Sequence, residues 1–100
     1  MTLEECLQKQ EEWSSKTFGH GLRTLGIIKH IRKELLEIEK SPHDLFEWID
    51  VIILALDGYW RHGGDPNNIM KDLTLKQMVN FKRNFPFPKS DDDVSEHLKR

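Results

Sequence analysis

Two stretches decide the fold of this chain: residues 30–40, "HIRKELLEIEK", and residues 47–57, "EWIDVIILALD". Apolar residues recur in both at intervals of three or four positions, which is the period of an amphipathic helix. In the first stretch, Glu34 shares a helix face with Ile31 and Ile38. Burying an unpaired carboxylate costs several kcal/mol. The pattern therefore predicts helices whose acids have either a partner or a function.

The second stretch carries its acids in one stripe. At about 100° per residue, Glu47, Asp50 and Asp57 fall on one side of the helix, and apolar residues cover nearly all of the remainder. A helix that is apolar on most of its circumference is expected to be buried on most of it. We therefore expect these acids to face protein or an enclosed cleft rather than bulk water.

Start and stop signals divide the chain into four predicted helices. Residues 2–5 have the spacing of a capping box. Ser41 and Pro42 form an N-cap followed by a helix-opening proline, and Asp65 and Pro66 repeat that signal. The prolines that follow residue 84 cannot continue a helix. The predicted helices span about residues 2–16, 22–40, 42–62 and 66–84.

No stretch alternates with the period of a strand, so the predicted fold class is all-α, a four-helix bundle. One hundred residues make one domain, and we expect it to cover residues 1–88. Residues 89–100 form a polar tail, either disordered or a short terminal helix. A chain this short buries a modest share of its surface, which favours association with copies of itself. We therefore expect a homo-oligomer.

Composition excludes several classes of protein. The formal charge is −2, from 15 basic and 17 acidic residues, whereas nucleic-acid and membrane-surface binders carry a basic excess or stripe. Cys6 is the single cysteine, so no disulfide framework or cysteine metal cluster is possible, and a reducing compartment fits best. The longest apolar run, residues 51–56, is too short to span a bilayer. These features predict a soluble cytoplasmic protein.

Four carboxylates are predicted to converge from the second and third helices: Glu34, Glu37, Glu47 and Asp50. Such acids repel one another unless a cation lies between them. A lysine, an arginine or a bound divalent metal ion would serve. Oxygen ligands without a nearby cysteine favour Mg²⁺ or Mn²⁺ over zinc.

Other polar and aromatic residues fit a nucleotide, although each also has an ordinary interpretation. Lys76, Asn80 and Arg83 fall on one face of the fourth predicted helix, where they would suit a polyphosphate or simply lie in solvent. Trp13 and Phe18 are most simply core residues, and base stacking is the alternative. His30 fits a satisfied histidine at the edge of the core better than a metal ligand.

Glu34-x-x-Glu37 followed by Glu47-x-x-Asp50 resembles the paired ExxE…ExxD signature of MazG-like all-α nucleoside triphosphate pyrophosphohydrolases. The likeness extends to the phage- and prophage-associated dATP/dGTP diphosphohydrolase N-terminal domain family. It covers the chain from about Trp13 onward. The stretches that carry it are "WSSKTFG", "GIIKHIRKELLEIE", "DLFEWIDVIILALDGYWRHG", "KQMVNFKRNFP" and "SDDDVSEHLKR".

The resemblance implies a Mg²⁺-dependent hydrolase that converts a nucleoside triphosphate into a monophosphate and pyrophosphate, in a helical bundle that builds its sites in dimers or tetramers. Glu37 is the candidate for orienting the attacking water. By the same resemblance the metal ligands are Glu34, Glu37, Glu47 and Asp50. The phosphate contacts are Lys76, Asn80 and Arg83, and the candidates for binding the base are Trp13 and Phe18.

Two other functions fit the same residues. The chain would be a non-catalytic interaction module if Glu34 and Asp50 were paired with arginine or lysine in a structural network. It would be a nucleotide sensor if it bound a triphosphate without cleaving it. The pattern leaves open the preferred base, the choice between ribose and deoxyribose, and the choice between dimer and tetramer.

Overall fold

A computed structural model describes residues 1–96 of the chain. Those residues form four α-helices and one 3₁₀ turn, and no strand occurs among them. This confirms the predicted all-α class. The elements are α1 (Leu3–Phe18), α2 (Thr24–Lys40), α3 (Leu45–Arg61), the 3₁₀ turn (Pro66–Asn68) and α4 (Ile69–Phe81).

The chain divides into two compact units, Met1–Ile69 and Met70–Arg100. In the first unit, α3 is the central helix, because it packs against both α2 and α1. The 3₁₀ turn packs against α1, where Gln8 Nε2 donates to Asn67 Oδ1. Helix α3 therefore sets the relative placement of α1 and α2.

The first helix begins at the predicted capping residue. Thr2 Oγ1 accepts a hydrogen bond from the Glu5 N–H at 3.1 Å, which satisfies one of the free donors of the first turn. The helix runs two residues past the predicted end, to Phe18. Gly19 then has φ of 86°, a left-handed value that favours glycine, and its N–H donates to Ser15 O.

The turn between α2 and α3 corrects the predicted start of the third helix. Ser41 is not an N-cap: it ends α2, and its N–H donates to the Glu37 and Ile38 carbonyl oxygens. The N-cap of α3 is Asp44, whose carboxylate accepts from the Phe46 N–H at 3.1 Å. Pro42 therefore lies in the turn. The serine N–H is already committed to the end of α2, so the next helix starts at the following capping residue.

A small apolar core and a buried ionic cluster hold the first unit together. Its buried apolar residues are Leu7, Ile27, Ile38 and Ile69. Beside them Arg61, whose side chain is 0% exposed, donates from Nε to Asp57 Oδ2 at 2.8 Å.

Arg61 also fastens α3 to the end of α1. Its Nη1 donates to the carbonyl oxygens of Gly19 and Gly21, at 2.8 Å and 2.7 Å. Its Nη2 donates to the Ser14 hydroxyl at 2.9 Å. Buried charge is stable only when such hydrogen bonds satisfy it, and here one arginine connects α1, the glycine loop and α3.

Helix α3 is more exposed than its sequence predicts. Trp48, Ile49, Ile52 and Ile53 are 50%, 43%, 50% and 42% exposed. The expectation that this helix is buried on most of its circumference is therefore wrong for the single chain, because the first unit does not supply enough neighbours to cover it. Among residues 1–96, no helix has the length and apolar character needed to cross a membrane.

In the second unit, α4 ends at Phe81, three residues before the predicted end. The N–H groups of Lys82 and Arg83 bond to the carbonyl oxygens of Val79 and Asn80, three residues back, which tightens the last turn. Residues 89–92 form a bend followed by a turn, with the Lys89 N–H donating to Asp93 Oδ2. The last four residues of the predicted polar tail, 97–100, lie outside the described part of the chain.

Candidate functional site

Three of the four predicted acids come together between α2 and α3. Glu34 lies on α2, while Glu47 and Asp50 lie one turn apart on α3. Each offers a carboxylate oxygen, and these oxygens all lie within 4.8 Å of one another. The close packing of α2 on α3 brings the two motifs to the same place.

The three acids repel one another, and few cations offset that repulsion. Glu34 and Glu47 are half-buried and Asp50 is exposed. Desolvation raises the pKa of Glu47, and the nearby charges of Asp44, Glu34, Asp50 and Glu37 raise it further. Within residues 1–96, no lysine or arginine lies within 4.0 Å of the three carboxylates. A cation bound between the three carboxylates would offset this repulsion.

Glu37 lies one turn beyond Glu34 on α2 and is half-buried. It is not among the three acids with mutually close oxygens. Its charge nevertheless helps to raise the pKa of Glu47, so the two carboxylates are neighbours. Its predicted role in orienting water stays a prediction.

A cavity of about 290 Å³ connects the acids with the end of α1. Small-molecule sites typically measure about 300–1,000 Å³, so this one suits a base and sugar better than a whole triphosphate. All three helices and the N-cap of α2 contribute to its lining. The lining residues are Gln10, Trp13, Ser14, Phe18, Arg23, Gly26, Ile27, His30, Glu34, Asp50, Ile53, Leu54 and Asp57.

Trp13 and Phe18 line this cavity and are not core residues. They are 58% and 49% exposed, and their rings meet edge to face, with centroids 5.6 Å apart and an interplanar angle of 89°. The interpretation of the pair as core is therefore wrong. The two rings are placed where a ligand in the cavity would contact them.

His30 lies on the cavity beside the acids. Its Nε2 is 3.2 Å from Glu34 Oε1, and its side chain is 53% exposed whereas that of Glu34 is 12% exposed. The expected role at the edge of the core is only partly correct, because the imidazole faces the cavity and an acid rather than apolar neighbours.

Sequence reasoning missed Arg23. It is the N-cap of α2, and its guanidinium carbon lies 4.7 Å from the centroid of the Phe18 ring. The predicted second helix already included position 23, so Arg23 resembled an ordinary residue on a helix surface. The cation–aromatic contact depends on where the loop of residues 19–22 returns to α1, and the helical period does not encode that.

The buried acid of the cavity is Asp57. Burial opposes its ionisation, but hydrogen bonds from Arg61, Ser14 and Trp60 and the charge of Arg61 outweigh it and lower the pKa of Asp57. Its two oxygens accept from Trp60 Nε1 at 2.9 Å and from Arg61 Nε at 2.8 Å. Asp57 is therefore a satisfied structural acid, although it shares a stripe with Glu47 and Asp50.

The predicted phosphate contacts belong to the second unit. Lys76 and Asn80 lie one turn apart on α4. Arg83 lies beyond the end of α4, so the prediction that all three share one helix face is wrong for Arg83. Their role in binding phosphate stays a prediction.

One protein family matches most of this chain. The model of the dATP/dGTP pyrophosphohydrolase family matches residues 6–100. The chain belongs to that family, which confirms the resemblance drawn from the paired acidic motifs. Searches of curated proteins and of solved structures found no match to this chain.

Proposed function

We propose that this member of the dATP/dGTP pyrophosphohydrolase family uses Mg²⁺, or Mn²⁺ in its place, to hydrolyse a purine deoxynucleoside triphosphate to the monophosphate and pyrophosphate. The observation that carries the proposal is the convergence of Glu34, Glu47 and Asp50 within 4.8 Å beside a cavity. The family supplies the reaction class and its name supplies the purine.

The three acids fit a divalent cation. All donors are carboxylate oxygens, which suit Mg²⁺ and Mn²⁺. Mg²⁺ lies about 2.1 Å from its ligands, so two ligand oxygens of one ion are at most about 4.2 Å apart. The carboxylate oxygens, which lie within 4.8 Å of one another, would have to approach slightly to share one ion. Desolvation, together with the neighbouring carboxylates, holds the pKa of Glu47 above the ordinary value of 4.5, and a cation would favour its charged form.

Different residues of the chain would then bind the metal ion and transfer the proton. Glu34, Glu47 and Asp50 would hold the metal ion, which when bound neutralises phosphate charge and makes a water molecule more acidic. Glu37 would orient the water and take its proton as the oxygen attacks the α phosphorus and the bond to pyrophosphate breaks. Positioning and charge neutralisation provide most of the rate in such reactions.

The structural alternative draws little support from the ion pairs. It requires Glu34 and Asp50 to be paired with arginine or lysine. In the part of the chain that the structure describes, the buried pair is Asp57 with Arg61, and Glu34 is paired only with His30. Acids without an arginine or lysine partner suit a site that receives a cation from solution.

We also propose that the protein works as a homo-oligomer in the cytoplasm. Four large apolar side chains of α3 are about half exposed, and a second copy would cover them. The single exposed Cys6 suits a reducing compartment.

The deciding experiment incubates the protein with each of the four dNTPs and Mg²⁺ and identifies the products. We expect pyrophosphate and the monophosphate from dATP and dGTP, and no release with EDTA in place of Mg²⁺. Release of inorganic phosphate instead, or no product from any triphosphate, would contradict the proposal. Triphosphate binding without products would favour the nucleotide sensor.

A further inference from the structure

The cavity extends well beyond the acids. Helix α2 contributes residues to its lining from Arg23 to Glu34, which are eleven positions apart. At 1.5 Å per residue, the two ends are about 16 Å apart along the helix axis. If the acids bind the metal ion and the α phosphate, as proposed above, the Arg23 end is where the base of the same nucleotide would lie.

Arg23 is held in place at that end. Its guanidinium lies 4.7 Å from the Phe18 centroid, and Phe18 in turn meets Trp13 edge to face. Guanidinium groups stack on aromatic rings in this way and keep their N–H groups free at the edge. No carboxylate lies within 4.0 Å of Arg23 among residues 1–96, so these donors remain available.

The backbone of Arg23 indicates that the side chain is needed there. Its φ is 52°, which makes it the one non-glycine residue with positive φ among residues 1–96. Such a left-handed conformation is unfavourable for residues with a Cβ, and glycine or asparagine usually occupies it. Arg23 also provides no side-chain hydrogen bond to cap α2. Neither backbone geometry nor capping explains an arginine at this position.

We propose that Arg23 is the residue that recognises a purine base, by donating hydrogen bonds to N7, and to O6 as well when the base is guanine. This inference rests on the proposed function. Arginine is a donor only, and its planar fork matches the adjacent N7 and O6 acceptors of guanine. Pyrimidines have no N7. Arg23 therefore selects purine over pyrimidine nucleotides.

Gln10 supplies the complementary acceptor. Its Nε2 donates to the Ile53 carbonyl oxygen at 2.8 Å. A carbonyl can only accept, so this bond fixes the amide orientation and leaves Oε1 as an acceptor, beside the second N–H of Nε2. An acceptor suits the 6-amino group of adenine. Arg23 and Gln10 both line the cavity, and together they provide for either purine.

The test measures equilibrium binding of product monophosphates, which does not require turnover. Calorimetry in Mg²⁺ compares dGMP, 7-deaza-dGMP, in which a C–H replaces N7, and dCMP. We expect the wild-type protein to bind dGMP at least about tenfold more tightly than its 7-deaza analogue, because a hydrogen bond from a charged donor is lost. In Arg23→Ala the ratio should fall to about one. Arg32→Ala, which removes an exposed cation of α2 away from the cavity, should keep the wild-type ratio.

Arg23→Gly guards against misfolding, because glycine suits the left-handed backbone, and it should behave as Arg23→Ala does. The inference is overturned if both variants weaken all three monophosphates by the same factor, which would indicate a phosphate contact. It is also overturned if the wild-type protein does not distinguish dGMP from its analogue, or binds neither. Pyrophosphate release from dGTP by the wild-type protein, measured separately, reports whether the proposed function itself fails.

Discussion

Acids at the cluster and an acid away from it allow a direct test of catalysis. Glu37 lies beside the cluster and Asp50 within it, whereas Glu39 is exposed on the outer face. Glu37→Gln should lower triphosphate hydrolysis about 100-fold or more, because the group that takes the proton is lost. Asp50→Asn should cause a comparable loss, because it removes a charge that the metal ion needs. Glu39→Gln should retain the wild-type rate.

Pyrophosphate release and thermal melting of the same three variants provide the measurement. Inner variants that melt near the wild-type temperature but lack activity support the site. Full activity in Glu37→Gln and Asp50→Asn, or equal loss in Glu39→Gln, would contradict it.

The buried pair Asp57–Arg61 and the exposed pair Glu12–Lys16 have the same i,i+4 spacing but different surroundings. Asp57→Asn should lower the free energy of unfolding by about 3–5 kcal/mol, because it leaves the charge of Arg61 buried without its partner. Glu12→Gln should change it by less than about 0.5 kcal/mol. Urea denaturation of both variants measures the difference. Equal changes in the free energy of unfolding would contradict the stabilising role of the Asp57–Arg61 pair.

The raised pKa of Glu47 predicts a specific dependence of stability on pH. Its pKa is raised in the folded protein, so the native state binds its proton more tightly than the unfolded chain does. Without metal, the free energy of unfolding should therefore fall as pH rises above the ordinary value of 4.5. Glu47→Gln should remove this contribution and flatten the profile. Melting temperatures between about pH 4 and pH 7 in EDTA measure it, with Glu39→Gln as control; a profile unchanged by Glu47→Gln would be the contrary result.

Individual acids were predictable, but Arg23 was not. Helical period alone places Glu34 on the face of Ile27 and Ile38, and both isoleucines are buried as that face requires. The position of Arg23 depends on a left-handed residue after a glycine loop and on the return of that loop to Phe18. Such contacts join distant parts of the sequence, so no local pattern records them.

Among the elements, the connection after α3 depends on a glycine. A Cβ at Gly64 would overlap the ring of Tyr59, whose hydroxyl donates to the Asp65 carbonyl oxygen at 3.3 Å. Gly64→Ala should therefore destabilise the protein by about 1–3 kcal/mol, as overpacking does. Gly21→Ala is the matched control, because a Cβ there meets nothing within 4 Å, and it should be neutral or slightly stabilising. Urea denaturation of the two variants decides, and equal stability would contradict the predicted clash.

The helix boundaries show which local signals were sufficient. Thr2 and Asp65 were predicted as caps and both accept the expected backbone N–H. Ser41 and Asp44 are both good capping residues, and the proline after Ser41 favours Ser41 in a prediction from sequence. The turn decides between them, because the Ser41 N–H closes α2 and the Asp44 carboxylate is the one free to open α3.

For the molecule as a whole, the exposed apolar face of α3 predicts self-association. Light scattering at micromolar concentration should return a multiple of 11.8 kDa. Ile52→Glu should shift that mass to the monomer, because it places a charge among side chains that are about half exposed in the single chain. Lys29→Glu, on an exposed position of α2, should leave the mass unchanged. A monomeric wild-type protein would refute the prediction.

The same face explains why the sequence overstated burial. The apolar character of α3 correctly indicates a helix with many neighbours. The amino-acid pattern does not specify whether those neighbours belong to the same chain or to another copy. The exposure of Trp48 and Ile52 in the single chain could therefore not be predicted from the sequence.

Arg61 holds the loop after α1 through main-chain oxygens, those of Gly19 and Gly21. Every amino acid has a carbonyl oxygen, so this attachment does not depend on which side chains the loop carries. Gly19 is restricted by its φ of 86°, but His20 is free of that limit. Over evolutionary time the loop can accumulate substitutions while a single arginine preserves its position. Side chains of the loop can therefore change between related proteins without loss of the contact that holds the loop to α3.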